Sequence, residues 1–147
     1  MDLITVLQGV DLFEGLEADE LTKVAAICAE RSFSRGQVIA REGEIGHELF
    51  IVSEGFVEVL IGERPNSPAR VVVSMGAGQL IGEMALLDQG PRSATLRATS
   101  TPTMLQVIHR QDFEDLCQKD TRIGYLVMRN LAAELSFKLR LRNLNDR

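Results

Sequence analysis

The stretch Gly82-Glu83-Met84-Ala85-Leu86-Leu87-Asp88-Gln89-Gly90-Pro91-Arg92-Ser93-Ala94-Thr95 interrupts a series of short β-prone runs, and the rest of the chain is read outward from it. Residues 83–87 are good helix formers, yet Gly90-Pro91 stops them after barely one turn. So short a helix adds little stability. It does bare unpaired backbone N–H groups at its start, and such groups attract anions. Gly82 lets a ligand come close to the backbone. Arg92 follows the fixed φ of Pro91, and its planar fork suits two oxygens of one phosphate. Ser93 adds a hydroxyl donor. A carboxylate at Glu83 would repel a phosphate in direct contact, but it can accept a hydrogen bond from a sugar hydroxyl. One carboxylate and one guanidinium flanking a single turn match the two polar ends of a 3′,5′-cyclic nucleotide, whose ribose keeps one free hydroxyl.

The flanking sequence sets that turn inside an all-β block. From Arg31 onward, apolar runs are short and split by glycines: Phe33, Val38 and Ile39 surround Gly36, and Gly43 and Gly46 bracket a tight turn. Leu49–Val52 and Phe56–Leu60, separated by Ser53-Glu54-Gly55, predict a β-hairpin. Gly62–Pro68 predicts a loop. Arg70–Ser74, Gln79–Ile81, Ser93–Ala98 and Thr103–Ile108 predict further strands. Before this block, over residues 2–30, Leu3, Val6, Leu7, Val10 and Leu12 recur at helical steps. Gly15 interrupts, Asp19 is a candidate N-cap, and Leu21, Val24, Ala25, Ile27 and Cys28 form a second apolar stripe. After the block, over residues 110–145, helical spacing returns with Phe113, Leu116 and Cys117, then Ile123, Val127, Leu131, Leu135 and Leu139. The expectation is one domain over 1–147, mainly β with flanking helices: a double-stranded β-helix (jelly-roll) barrel over 31–109, N-terminal helices, and C-terminal helices. The last stripe has two readings, packing on its own barrel or pairing with a second copy as a homodimer. Its uniform four-residue steps argue against a long coiled coil.

The opening stretch resembles the phosphate-binding cassette of the cyclic nucleotide-binding domain family, which includes the bacterial catabolite activator protein and protein kinase A regulatory subunits. The family pattern, roughly Phe-Gly-Glu-Leu-Ala-Leu then Pro-Arg-Ala/Ser-Ala-Thr, is met by Ile81-Gly82-Glu83-Met84-Ala85-Leu86 and Pro91-Arg92-Ser93-Ala94-Thr95. Ile81 replaces an aromatic residue and Met84 a leucine, both keeping apolar character. Leu12–Leu16, Phe33–Ile39, Glu42–Gly46 and Phe50–Val59 resemble other parts of the family pattern, so the likeness runs from about Leu12 to Asn143. The resemblance implies a ligand site at Gly82, Glu83, Met84, Ala85, Arg92, Ser93 and Ala94. Glu83 would bond the ribose 2′-OH, Gly82 and Ala85 would use backbone groups, Arg92 would pair the exocyclic phosphate oxygens, and Ser93 would contact phosphate and could touch the base. The C-terminal helix usually forms a lid over the base, and by register Glu134 or Lys138 falls there. Cyclic AMP is the expected ligand and cyclic GMP the alternative, because a hydroxyl after the cassette arginine can favour guanine, although cyclic AMP binders also carry serine there.

Composition narrows the remaining choices. With 147 residues, 45% apolar, 25% charged and a net charge of −5, the chain is an ordinary globular domain lacking the positive face a general nucleic-acid or membrane-surface binder needs. The C-terminal segment is locally basic, with Arg122, Arg129, Lys138, Arg140, Arg142 and Arg147 against Glu134 and Asp146. A solvated helix face is the simpler reading, and the chain stops at Arg147 with no room for a helix-turn-helix, so DNA binding by this chain alone is not expected. Cys28 and Cys117 lie in no CxxC or Cys/His cluster, which predicts buried free thiols and a reducing compartment. The N-terminus has no basic n-region and no apolar run reaches membrane-spanning length, so a cytoplasmic protein is expected. His47 and His109 are too few and too scattered for a cupin-type metal site. No nucleophile–base set emerges around Ser53 or Ser93. The expectation is therefore a non-enzymatic sensor with no cofactor or metal, whose C-terminal helix moves on ligand binding and acts on an effector protein or domain. The alternative is a ligand-independent interaction scaffold of the same fold.

Overall fold

The computed structural model describes residues 2–145 apart from Gln89. Gln89 of the opening stretch, Met1, and Asp146 and Arg147 of the basic segment lie outside the described residues. The elements run α1 (Leu3–Gln8), a 3₁₀ turn (Asp11–Phe13), α2 (Ala18–Ala25), β1 (Cys28–Phe33), β2 (Val38–Ala40), β3 (Glu48–Glu54), β4 (Val57–Ile61), β5 (Arg70–Met75), β6 (Leu80–Ile81), a second 3₁₀ turn (Glu83–Leu86), β7 (Thr95–Ala98), β8 (Thr103–His109), α3 (Arg110–Lys119) and α4 (Thr121–Asn145). The strands form two antiparallel four-stranded sheets, ordered β1-β8-β3-β6 and β2-β7-β4-β5. The fold is thus mainly β with flanking helices.

Two cores hold it. Between the sheets lie Ala40, Phe50, Val52, Val57, Ile81, Leu96, Leu105 and Val107, drawn from both. The outer face of the first sheet offers Leu49, Ile51 and Ile108, which pack against Val6, Leu7, Phe13, Val24, Phe113, Ile123, Val127 and Leu131 of the helices. β3 is consequently buried on both faces, which is why Leu49-Phe50-Ile51-Val52 is a continuous apolar run instead of an alternating one.

Four local expectations need correction. β3 and β4 do not form a hairpin: β3 pairs with β6 and β8, while β4 pairs with β5 and β7 in the other sheet. Gly55, at φ +83°, turns the chain across the sandwich there, and a Cβ at this position would sit 2.4 Å from Ser100 Oγ and 2.8 Å from the Pro102 carbonyl oxygen. Residues 28–30, read as the end of the helical segment, are the first half of β1, because pairing of Cys28 with Ile108 and Glu30 with Gln106 overrides the helical spacing. The N-cap of α2 is Glu17, not Asp19; its N–H donates to Glu20 Oε1 at 2.8 Å. The cysteines are unpaired, as read, but only partly buried. Burial still pushes both thiols up to about 11, helped at Cys117 by Asp120 and Glu114.

α4 resolves part of the ambiguity over its stripe. Ile123, Val127 and Leu131 are buried in the domain's own core, Leu135 is partly buried, and Leu139 is exposed. Arg122 pairs with Glu20, and Asn130 Nδ2 donates to the carbonyls of Leu12 and Glu14 at 2.9 Å each. The first half of α4 is therefore anchored and its second half runs out along the sheet sandwich. Leu131→Ala should cost about 2–5 kcal/mol in urea unfolding, whereas Leu141→Ala, on an exposed residue, should cost less than about 0.5 kcal/mol. Equal losses at the two positions would contradict this division of the helix.

Candidate functional site

The opening stretch wraps one side of a cavity of about 470 Å³. All seven residues assigned to the ligand site from sequence line it (Gly82, Glu83, Met84, Ala85, Arg92, Ser93 and Ala94), and so do both lid candidates, Glu134 and Lys138 of α4. Met84 and Ser93 are exposed at its margin. The apolar wall comes from Val59, Val73, Met75, Leu80 and Leu96, none of which was singled out from sequence. They carry no chemical signature: Val59, Val73, Met75 and Leu96 are assembled by the pairing of β4, β5 and β7, and Leu80 by that of β6 with β3. Asp88 also borders the space.

Arg92 is held from several directions. Its backbone N–H donates to the Glu44 carbonyl at 2.7 Å, and its own carbonyl accepts from Gly43 N–H at 2.8 Å. The turn bracketed by Gly43 and Gly46 thus pins the strand entry beside Pro91, which itself bridges to Ile45. The guanidinium lies 5.1 Å from the centre of the Phe50 ring, a cation–π contact, and Nη2 donates to the Glu48 carbonyl at 3.2 Å. Burial draws its pKa down, with Glu48 and Glu44 opposing, and it stays a cation. Among the described residues it forms no ion pair. A half-buried guanidinium without a carboxylate partner keeps donors available for an anion.

Two glycines make room for that side chain. A Cβ on Gly46 would sit 2.8 Å from Arg92 Cζ, and one on Gly82 would sit 3.2 Å from Nη1 and 3.1 Å from the Glu48 carbonyl oxygen. Gly82 also needs φ +92° to start the 3₁₀ turn. Gly46 was legible only as a turn residue, and its clearance of Arg92 had no sequence signal. The turn itself closes through Ala85 N–H donating to the Gly82 carbonyl at 3.0 Å. Glu83 lines the cavity at the start of this turn with its side chain only 15% exposed, and Lys138 Nζ stands 3.4 Å from its Oε1. Lys138 also pairs with Glu134 at 3.0 Å.

Elsewhere, His109 accepts from Gln111 N–H at 3.3 Å as the N-cap of α3, and His47 is exposed. Glu17, Asp19 and Glu20 cluster at the start of α2, but Glu20 is already bonded to the Glu17 N–H and paired with Arg122. No described helix is long and apolar enough to cross a membrane.

Gly46→Ala separates the two roles of the turn. The clash falls on the far end of a flexible side chain, so the melting temperature should move by only a few degrees, equivalent to about 1 kcal/mol or less. The Nε–Hε resonance of Arg92 should shift as the guanidinium is displaced. An unchanged resonance in a folded variant would show that Gly46 does not shape the site.

Comparison with known proteins agrees with this architecture. The family model described as the cyclic nucleotide-binding domain matches residues 30–120. The "Cyclic AMP receptor protein" of Thermus thermophilus is 34% identical over 91% of this chain and 59% of its own length. A cyclic nucleotide-gated potassium channel of Mesorhizobium japonicum is 36% identical over 81% of this chain and 31% of its own. The chain thus spans less than two thirds of the length of either relative. The regulatory domain of Toxoplasma gondii PKA, solved with cAMP, superposes with a TM-score of 0.76 at 27% identity, covering 92% of this chain and 49% of that one. With the family pattern matched through both the sheets and the cavity-lining turn, this chain belongs to the cyclic nucleotide-binding domain family.

Proposed function

We propose that the chain is a cytoplasmic sensor that takes cyclic AMP into the cavity between the 3₁₀ turn and α4, and that occupancy is signalled by movement of α4. The observation that carries the reading is the disposition of two charges. Arg92 is held at the cavity with no carboxylate partner among the described residues, and Glu83, at the start of the 3₁₀ turn, lines the same cavity. Arg92 would take the phosphate oxygens, with Ser93 adding a hydroxyl at the margin. Glu83 would accept the ribose 2′-OH, and Gly82, Met84, Ala85 and Ala94 would shape the wall around phosphate and sugar. The base would lie toward Val59, Val73 and Leu96, under Glu134 and Lys138. The cavity's volume and its mixture of apolar wall with a few polar groups are those of a small-molecule site. Cyclic AMP is preferred over cyclic GMP because the Thermus relative is a cyclic AMP receptor protein and the Toxoplasma domain was solved with cAMP. The unpaired thiols fit a reducing compartment.

The output requires a partner. α4 is the element shared between the cavity and the surface, since Glu134 and Lys138 line the site while Tyr125, Met128 and Leu139 are exposed. Together with Ala132 and Leu135 these three residues step by three and four along the helix, the spacing of a two-stranded seam, so a homodimer through this face is part of the proposal. An effector protein or effector domain contacting the same face would receive the movement. The alternative is a ligand-independent scaffold, and the observation favouring it is the same exposed apolar row, which needs no nucleotide to bind a partner.

A charge-assisted bond to phosphate is worth about 1.5–3 kcal/mol, so Arg92→Ala should weaken cyclic AMP binding roughly 10–150-fold. Arg92→Lys should also lose affinity, because a point charge replaces a fork. In thermal melts, cyclic AMP at 100 times its dissociation constant should add about 2.7 kcal/mol of stability. Equal calorimetric affinities for wild type and Arg92→Lys would defeat the phosphate assignment. No thermal shift with millimolar cyclic AMP or cyclic GMP would favour the scaffold.

A further inference from the structure

The two halves of α4 are held in different ways. The first half is anchored by buried Ile123, Val127 and Leu131, by the Arg122–Glu20 pair and by Asn130. Beyond Leu131 the grip narrows. Among the described residues, the one polar contact that ties residues 132–143 to the rest of the fold is Lys138 Nζ to Glu83 Oε1 at 3.4 Å. Lys138 is steadied on its own helix by Glu134 at 3.0 Å, one turn earlier. Glu83 Oε2 has no hydrogen-bond partner among the described residues. The carboxylate is thus split, with one oxygen on α4 and the other available.

Charge balance gives Lys138 a second reason to be there. The ionisable residues lining the cavity are Arg92 and Lys138 against Glu83, Glu134 and Asp88. An incoming cyclic nucleotide brings another negative charge. Without Lys138, both Glu83 and Glu134 would face that ligand uncompensated, with only Arg92 in opposition. Burial alone would pull the pKa of Lys138 down, but Glu134 and Glu83 outweigh it and hold it above its ordinary value, so the cation persists at neutral pH.

We propose that Lys138 is a positioning residue for ligand binding, acting through Glu83: it holds one carboxylate oxygen, leaves the other for the sugar hydroxyl, and so makes the seating of α4 and the occupancy of the sugar subsite parts of one bonded chain. This rests on the assignment of Glu83 to the ribose. It adds that α4 senses the sugar through a carboxylate it already touches, in addition to covering the base. Coupling of this kind is reciprocal: ligand holds the end of α4 against the domain, and a detached α4 weakens the ligand.

The test uses the full chain with cyclic AMP, comparing Lys138→Gln, Lys138→Arg and Arg140→Gln. Arg140 lies on the same helix, is exposed, and does not line the cavity. Affinity is read by calorimetry, and the state of α4 by hydrogen exchange of residues 135–143 with and without ligand. The Lys138–Glu83 contact is partly exposed, so Lys138→Gln should weaken binding about two- to fivefold. In the wild type, ligand should slow exchange over this segment, and Lys138→Gln should lose most of that slowing. Lys138→Arg should restore both, and Arg140→Gln, with the same loss of charge, should alter neither. Wild-type affinity and protection in Lys138→Gln overturn the proposal and leave the Arg92 site standing. An equal loss in Arg140→Gln overturns it too, by showing that general charge is the cause. Absence of cyclic nucleotide binding by the wild type overturns the site assignment itself, and this proposal with it.

Discussion

The placement of one guanidinium governs the rest of the site. Arg92 is half-buried over the ring of Phe50 and bonded to a backbone carbonyl. A cation in that position loses hydration, and nothing among the described side chains neutralises it. The surrounding chain meets the cost with geometry: a π face below, the Glu48 carbonyl beside it, and two glycines whose missing side chains leave the volume it occupies. A protein that only needed a stable pair of packed sheets would gain by filling this space with an apolar side chain. Retaining an under-compensated cation at the wall of a cavity makes sense when an anion completes it.

The sheets matter to function mainly because they fix that geometry. Phe50 lies on the doubly buried β3, and its side chain is packed in the core between the sheets. The 3₁₀ turn is started by Gly82 in a left-handed conformation and buries its own Ala85 and Leu86. Glu83 and Arg92 are therefore set by rigid neighbours on both sides, as preorganised binding requires. α4 contrasts with them. Its root shares the helical core, while its outer half keeps, among the described residues, a single polar tie to the cavity wall. Movement is easiest where the packing is thinnest, and here that place adjoins the cavity.

How much of this the sequence disclosed depends on the kind of interaction. Glu83, Arg92 and the one-turn element that Glu83 starts were legible as cavity-lining candidates because each carries a local signature: a helix too short to serve stability, a Pro-Arg step, and a carboxylate beside a candidate anion site. Glu134 and Lys138 were placed by helical register, and the structure brings them to the cavity. The double-sheet class followed from short glycine-punctuated runs. What escaped was long-range. Two β-prone runs around Ser53-Glu54-Gly55 look locally like a hairpin, and only their partners in β8 and β7 show that the chain crosses between sheets. Cys28 fits a helical stripe until its pairing with Ile108 is known. Gly46, Phe50 and the valines of the wall belong to the site through contacts between segments distant in sequence. The three-and-four row of Tyr125, Met128, Ala132, Leu135 and Leu139 was hidden behind the uniform four-residue stripe, and the burial of Ile123, Val127 and Leu131 separates the two.

The central claim is that Arg92 and Glu83 divide one cyclic nucleotide between them. The most direct measurement is a crystal structure of the chain grown with cyclic AMP. The account predicts phosphate oxygens within about 2.7–3.2 Å of the Arg92 guanidinium nitrogens and the ribose 2′-hydroxyl on a Glu83 carboxylate oxygen. Nucleotide bound outside this cavity, or inside it with its phosphate turned away from Arg92, would contradict it.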